Sequence, residues 1–300
     1  MKKSFLLVLL CMVASVLPAQ KKMYVWQGET PTEFEVLTVD SVTFADAEPT
    51  PVPTEPVFSV SATKQVQFST GNLQYTQSTQ TWSFAAQQYE SIGKANFVEG
   101  KEADKIDLFS WSGTTGSNQW GIGISGSPSN NSGYFADWGQ NIGDGTTWRT
   151  LTKDEWTYLF NTRTNASTLM GVARIHLNAD GSDYANGLIL LPDNWTAPAD
   201  VTFKSGFSST SSAQAYADYQ TLTLDQWGKL EEAGAAFLPA SGRRNTTGLV
   251  LNYMGAGFYW SATYYSYDWA YYISLDSEST TTNHEKRNYA YAVRLVKDVK

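Results

Sequence analysis

Beyond position 11 the sequence contains no cysteine, so its fold has no disulfide to hold it. The same lack removes thiol nucleophiles and cysteine-ligated zinc from consideration. Charge is thin as well: Asp, Glu, Lys and Arg make up 17% of the 300 residues, with a balance of −8. An acidic chain is poorly matched to nucleic acid, whose partners are usually basic. After the first twenty residues no stretch approaches the roughly 20 apolar residues that a transmembrane helix needs. What the chain has instead is aromatic surface, 14% of its residues, set among many Gly, Ser, Thr and Asn. That composition points to a β-rich extracellular protein whose stability comes from burial alone.

The amino end divides into the three parts of a secretory signal. Lys2 and Lys3 form the basic region, Phe5 to Leu17 the apolar run, and Pro18-Ala19-Gln20 the cleavage end. Residues 1–20 are therefore expected to be removed on export. The expected destination is the cell exterior, the cell surface or the periplasm. Cys11 sits in mid-run behind Leu9 and Leu10 and reads as part of the signal. Residues 21–47 hold three short alternating segments, Met23–Trp26, Phe34–Leu37 and Ser41–Phe44, which predict a small β leader. Residues 48–56 alternate proline with Thr, Val and Glu and predict a stiff linker. The main domain then occupies residues 57–300.

Within that domain, Val66–Phe68 and Leu73–Tyr75 flank Thr70-Gly71-Asn72 as the arms of a hairpin would. Residues 110–147 are rich in Gly, Ser and Asn, and Trp111, Trp120, Phe135 and Trp138 are expected to pin this long loop to the core. Two helix starts carry nearly the same signal. Thr152 with Glu155, and Thr223 with Gln226, each form a capping box, with Leu151 or Leu222 stapled onto Trp156 or Trp227. Gly234 is expected to close the second helix. Four strands follow, at residues 235–240, 257–263, 270–276 and 289–297. The fold class expected is α+β: antiparallel sheet, two helices and long loops.

Several of these stretches resemble the bacterial major paralogous domain family (FISUMP). They are Trp148–Trp156 (WRTLTKDEW), Leu190–Trp195 (LLPDNW), Phe237–Arg243 (FLPASGR), Gly257–Thr263 (GFYWSAT) and Tyr291–Val296 (YAVRLV). The resemblance covers roughly residues 57–298 and implies a C-type-lectin-like fold, similar also to the formylglycine-generating enzyme. Members of the family are mostly exported, without an established activity. That enzyme works through cysteines, which this chain lacks after export. The Glu-Pro-Asn, Gln-Pro-Asp and Trp-Asn-Asp triplets of calcium-dependent lectins are absent too. The residues 39–44 resemble the end of a leader module common in such exported proteins. Tyr259–Arg294 also resembles the variable region that diversity-generating retroelements mutate on this fold, although the codon of Trp269 does not arise from adenine mutagenesis of Asn or Tyr.

The sharpest local feature is Phe258–Tyr272, where nine of fifteen residues are aromatic. Phe258, Trp260 and Tyr271 read as core. Tyr264, Tyr265, Tyr267, Asp268 and Trp269 fall between two strands, where side chains project from a loop. Rigid aromatic faces with polar tips are the chemistry of binding surfaces. A second loop, residues 277–288, ends near Asn283, His284, Arg287, Asn288 and Tyr289, which are candidate ligand contacts beside the first. Catalysis finds less support. His176 reads as a strand residue, Asp154 and Glu155 suit a helix N-terminus, no nucleophile elbow is present, and Asn178–Asp183 lacks the distal Glu of a calcium loop. The expectation is a non-catalytic exported protein, with no cofactor or metal, that binds an extracellular glycan, peptide or cell-surface protein. The alternatives are a structural surface or adhesin component and, least supported, a hydrolase or oxidase.

Overall fold

The computed structural model describes residues 22–27, 30–35 and 55–299. The signal segment, most of the linker and the leader strand expected at Ser41–Phe44 lie outside the described residues. The chain divides into two units between Pro53 and Thr54. The first contains one antiparallel hairpin, strands Lys22–Gln27 and Thr30–Glu35, in register from Lys22 opposite Glu35 to Gln27 opposite Thr30.

The second unit is mixed α+β. Its main strands are β1 (Gln65–Phe68), β2 (Leu73–Thr76), β3 (Trp148–Thr150), β4 (Met170–His176), β5 (Tyr184–Leu190), β6 (Ala236–Pro239), β7 (Ala256–Ser266), β8 (Trp269–Asp276), β9 (Thr280–Lys286), β10 (Ala290–Tyr291) and β11 (Leu295–Asp298). Its helices are α1 (Lys153–Asn161), α2 (Ala213–Tyr219) and α3 (Leu224–Glu232). Rather than one sheet, the strands make several small ones. β11 lies between β3 and β1, antiparallel to both. β4 pairs antiparallel with β5 over seven residues and β5 with β6, while β4 also runs parallel to Thr221–Thr223. β7, β8 and β9 form an antiparallel meander.

The expected hairpin across Gly71 is not made. Ser69 N–H donates to Leu295 O and Leu73 N–H to Val293 O, so both arms pair with the carboxyl end of the chain. β2 instead pairs with Thr81–Phe84 and Lys105–Ile106. The turn at Gly71 packs on Ala85, whose carbonyl oxygen would lie 2.5 Å from any Cβ there, and this crossing separates the two arms.

Both capping boxes form. Thr152 Oγ1 accepts from Glu155 N–H, and Glu155 accepts from Thr152 N–H at 2.9 Å. Thr223 and Gln226 repeat the pattern. The stapling pairs Leu151 with Trp156 and Leu222 with Trp227 are all buried. α3 ends in a Schellman motif: Gly234 takes φ +95°, its N–H donates to Glu231 O, and Ala235 N–H donates to Leu230 O. α2 is a third helix, capped by Ser212 Oγ accepting from Ala215 N–H.

Strand alternation sorts side chains into separate cores. Tyr291, Val293 and Leu295 enter one with Trp111, Trp138 and Trp260. Ala290, Ala292 and Val296 enter another with Trp156, Leu159 and Tyr259. A third lies under α3 and contains Trp227, Ile175 and Phe237. The long loop is anchored as its aromatics imply. Trp111 Nε1 donates to Ser261 O and Trp138 Nε1 to Trp120 O, both at 3.0 Å, with Phe135 packed between the two rings.

Candidate functional site

The stretches on which the family resemblance rests prove to be architectural. Arg149 makes two parallel hydrogen bonds to Glu155 (2.8 and 2.9 Å) and also bonds Asp298, tying β3, the start of α1 and β11 together. Asp193 accepts from Ser59 N–H and from the buried Arg163, which also holds the carbonyls of Leu191 and Leu169. Arg294 is fully buried and donates to Gln88 Oε1 at 2.6 Å, and burial pulls its guanidinium down to about 10.

The aromatic segment behaves differently. β7 runs on to Ser266, and only Tyr267 and Asp268 form the turn before β8. Tyr264, Tyr265 and Trp269 therefore sit on strands rather than in a loop. The pairing shifts twice, between Trp260 and Tyr264 and between Tyr264 and Ser266. Such bulges re-aim side chains and twist the strand. Tyr264 and Tyr265, adjacent on the strand, lie on opposite sides of the hairpin.

On one side Tyr265 stacks on His284, ring centroids 3.9 Å apart and planes at 14°. Tyr271 meets Tyr265 edge-on at 5.1 Å, and Trp269 meets His284 at 5.6 Å. Lys153 lies 5.1 Å from the Tyr271 ring and Lys286 6.0 Å from Trp269, so cations border the aromatic row. His284 reaches this row because residues 280–286 are a strand, with His284 opposite Tyr271. The loop expected from 277 to 288 is thus mostly β9.

On the other side Tyr134, Tyr264 and Tyr267 surround a cleft of about 470 Å³ with Arg287 at its base. Arg287 is not a solvated loop residue: 1% of it is exposed. Its guanidinium lies 4.3 Å from the Trp111 ring and 4.8 Å from Tyr264. Nη1 donates to Asn131 O and Gly133 O, and Nη2 to Ser266 O. One planar fork thereby fastens the 131–133 loop to the hairpin tip and places Tyr134 beside Tyr264 and Tyr267. Burial lowers the Arg287 pKa, and Tyr264, Asp268 and Tyr267 draw it back up.

The remaining candidates are dispersed. Asn283 is exposed on β9 but opposite Tyr272, so it faces away from His284. Asn288 is buried and donates to Ser125 O at 3.2 Å, a structural anchor. Tyr289 packs near Arg243, 5.8 Å from ring to guanidinium. Arg244 is buried near Glu102 and donates to Gly123 O. His176 ends β4, and Asn178–Asp183 is the polar turn to β5, closed by Asn178 and Asp180 side chains. Sequence reasoning missed Tyr134. Its signal was a second aromatic beside Phe135, one of the pair anchoring the loop and the other left over.

The chain matches no family model, no curated protein and no solved structure. No helix among the described residues is long and apolar enough to cross a membrane.

Proposed function

We propose that this is an exported, non-catalytic binding protein that grips its ligand with the tip of the β7–β8 hairpin. One observation carries the reading. Within residues 55–299, the four most exposed aromatic side chains, Tyr134, Tyr264, Tyr265 and Tyr267 (85, 50, 44 and 65%), all stand at this tip. Every other ring in that unit is buried or partly buried. Exposing large apolar rings to water opposes folding, and their concentration at one place marks an interaction surface. The ligand class is an extracellular glycan, peptide or cell-surface protein, met by flat faces, hydroxyl tips and the flanking Lys153 and Lys286. The fold we assign is C-type-lectin-like, supported by the family resemblance, the mixed α+β architecture and the long anchored loops. The cell exterior or surface is the assigned location, on the strength of the signal at residues 1–20.

The test is a screen of glycans and cell-surface proteins with the wild type and with Tyr134, Tyr265 and Tyr267 all changed to Ala. These rings are exposed, so the triple variant should melt within about 3 °C of wild type. Loss of binding at unchanged stability supports the reading. A stability loss of the roughly 3–5 kcal/mol typical of a truncated buried aromatic would sink it. Diversification of the same tip is tested in the gene, where an imperfect nearby repeat differing only at adenines must exist.

A further inference from the structure

A second concavity, about 380 Å³, opens between β2, β5 and the 89–92 and 253–254 segments. That is the size of an ordinary small-molecule site. Its walls include the rings of Tyr89, Tyr184 and Tyr253, with Gln74, Lys105 and Asp183 among its polar groups. Three features show that these walls are built rather than left over.

The first is an orphan. Gln74 is 3% exposed, and its Oε1 is buried without any hydrogen-bond partner. A buried amide oxygen without a partner carries a cost, and a rotation of the Gln74 amide toward the cavity would let a ligand hydroxyl or N–H satisfy it. The second is backbone conformation. Asn252 and Met254 both take positive φ, +59° and +64°, which L side chains rarely adopt. They bracket Tyr253 and turn it, and its ring closes so tightly on Gly93 that a Cβ there would lie 2.2 Å from it. Met254 is fixed by its N–H donating to Ala240 O and by Asn186 Nδ2 donating to its carbonyl, both at 2.8 Å. The third is support behind a ring. The Arg174 guanidinium lies 3.9 Å from the Tyr184 ring and is itself held by Asn186 Oδ1 and Ala213 O. The cavity is therefore pre-shaped, which lowers the cost of ordering it on binding.

The chemistry narrows the occupant. Phenol rings offer flat faces with hydroxyl tips, and the buried acceptor calls for a donor. Lys105, Glu90 and Asp183 line the cavity together, a mixed set with one net negative charge, which disfavours an anion and is too small to select a polycation. An apolar ligand would leave Gln74 as it stands. We infer that this cavity binds a neutral pyranose, as a free mono- or disaccharide or a chain end, at a site separate from the aromatic tip.

The full chain is titrated calorimetrically with glucose, galactose, mannose, N-acetylglucosamine, cellobiose and lactose. At least one should saturate, with a Kd below about 10 mM. Gln74→Leu removes the unsatisfied amide, so it should not lower the melting temperature, yet should weaken that sugar about tenfold. Lys105→Ala, at an exposed position, supplies a second variant whose folding is not in question, and it should weaken binding too. The triple tip variant should bind the sugar as wild type does. Failure of all six sugars to saturate overturns the inference. So does binding that both cavity variants leave intact, and so does binding that disappears in the tip variant, which would move the sugar to the tip.

Discussion

Arg287 illustrates how one side chain determines what a surface can present. It spends its donors on three carbonyls from two separate segments and lies between two rings. Lysine carries one point of charge and no fork, so Arg287→Lys should leave carbonyls unsatisfied. The expected loss is about 2 kcal/mol or more in chemical denaturation, with Tyr134 freed, as a sharpened and shifted ring resonance would report. Asp107 makes a different point. It is fully buried and accepts from Ile92 N–H and Asn96 Nδ2, yet burial outweighs these bonds and pushes its carboxyl up to about 6. The folded chain therefore holds this proton more tightly than the unfolded one. Its contribution to stability is complete below about pH 4 and is lost as pH rises through 6, a swing of up to roughly 3 kcal/mol. Denaturation of wild type and Asp107→Asn from pH 4 to 7 should show the stability gap changing in the mutant's favour as pH rises. A constant gap would refute the assignment.

At the scale of elements, the two capping boxes invite a comparison. Thr152→Ala and Thr223→Ala should each cost about 1 kcal/mol. The first should cost more, because Glu155 of that box also holds Arg149 and through it Asp298. Urea midpoints of the two variants decide this. These helices were legible because a capping box is positional, with Thr, then Glu or Gln three residues on, and a staple outside. α2 has Ser212 as its cap but Ala215 at the third helical position, so the reciprocal half of the signal is missing. β9 escaped for a related reason. Its sequence, Thr-Thr-Thr-Asn-His-Glu-Lys, has no apolar alternation, because an edge strand is recruited by hydrogen bonds to β8 rather than by burial of one face. Alternation in β10–β11 was readable since each face enters a different core, whereas in β8 Ile273 and Leu275 enter one but Tyr271, expected as core, joins the half-buried aromatic row. Tyr264, Tyr265 and Tyr267 could be found by composition, and alternation sets Tyr264 and Tyr265 on opposite faces, but that Tyr134 and Arg287 join the Tyr264 side could not be read. The two register shifts between Trp260 and Ser266 leave no mark in the pattern of residue types.

For the whole molecule, the absence of cysteine after position 11 carries a direct expectation. Thermal unfolding of the chain from residue 21 onward should be the same with and without reductant. Burial must supply what disulfides do not. Eleven tryptophans are present, and Trp111, Trp138, Trp156, Trp227 and Trp260 are fully buried, distributed over all three cores. The carboxyl end joins these parts. Ala290–Asp298 touches β1, β3, β7 and strand Phe109–Ser110 by backbone hydrogen bonds or bridges. Removing residues 295–300 should abolish cooperative unfolding, whereas ending the chain at Asp298 should leave it intact.

That placement of β11 also sets an order of events in time. β1 ends at residue 68 and β3 at residue 150, but the strand that fits between them, β11, begins only at residue 295. Contacts spanning more than two hundred residues close slowly, since a long loop must be ordered before any of them forms. Assembly of the β3–β11–β1 sheet therefore waits for residues 295–298, and until they are in place β1 and β3 lack the strand that joins them.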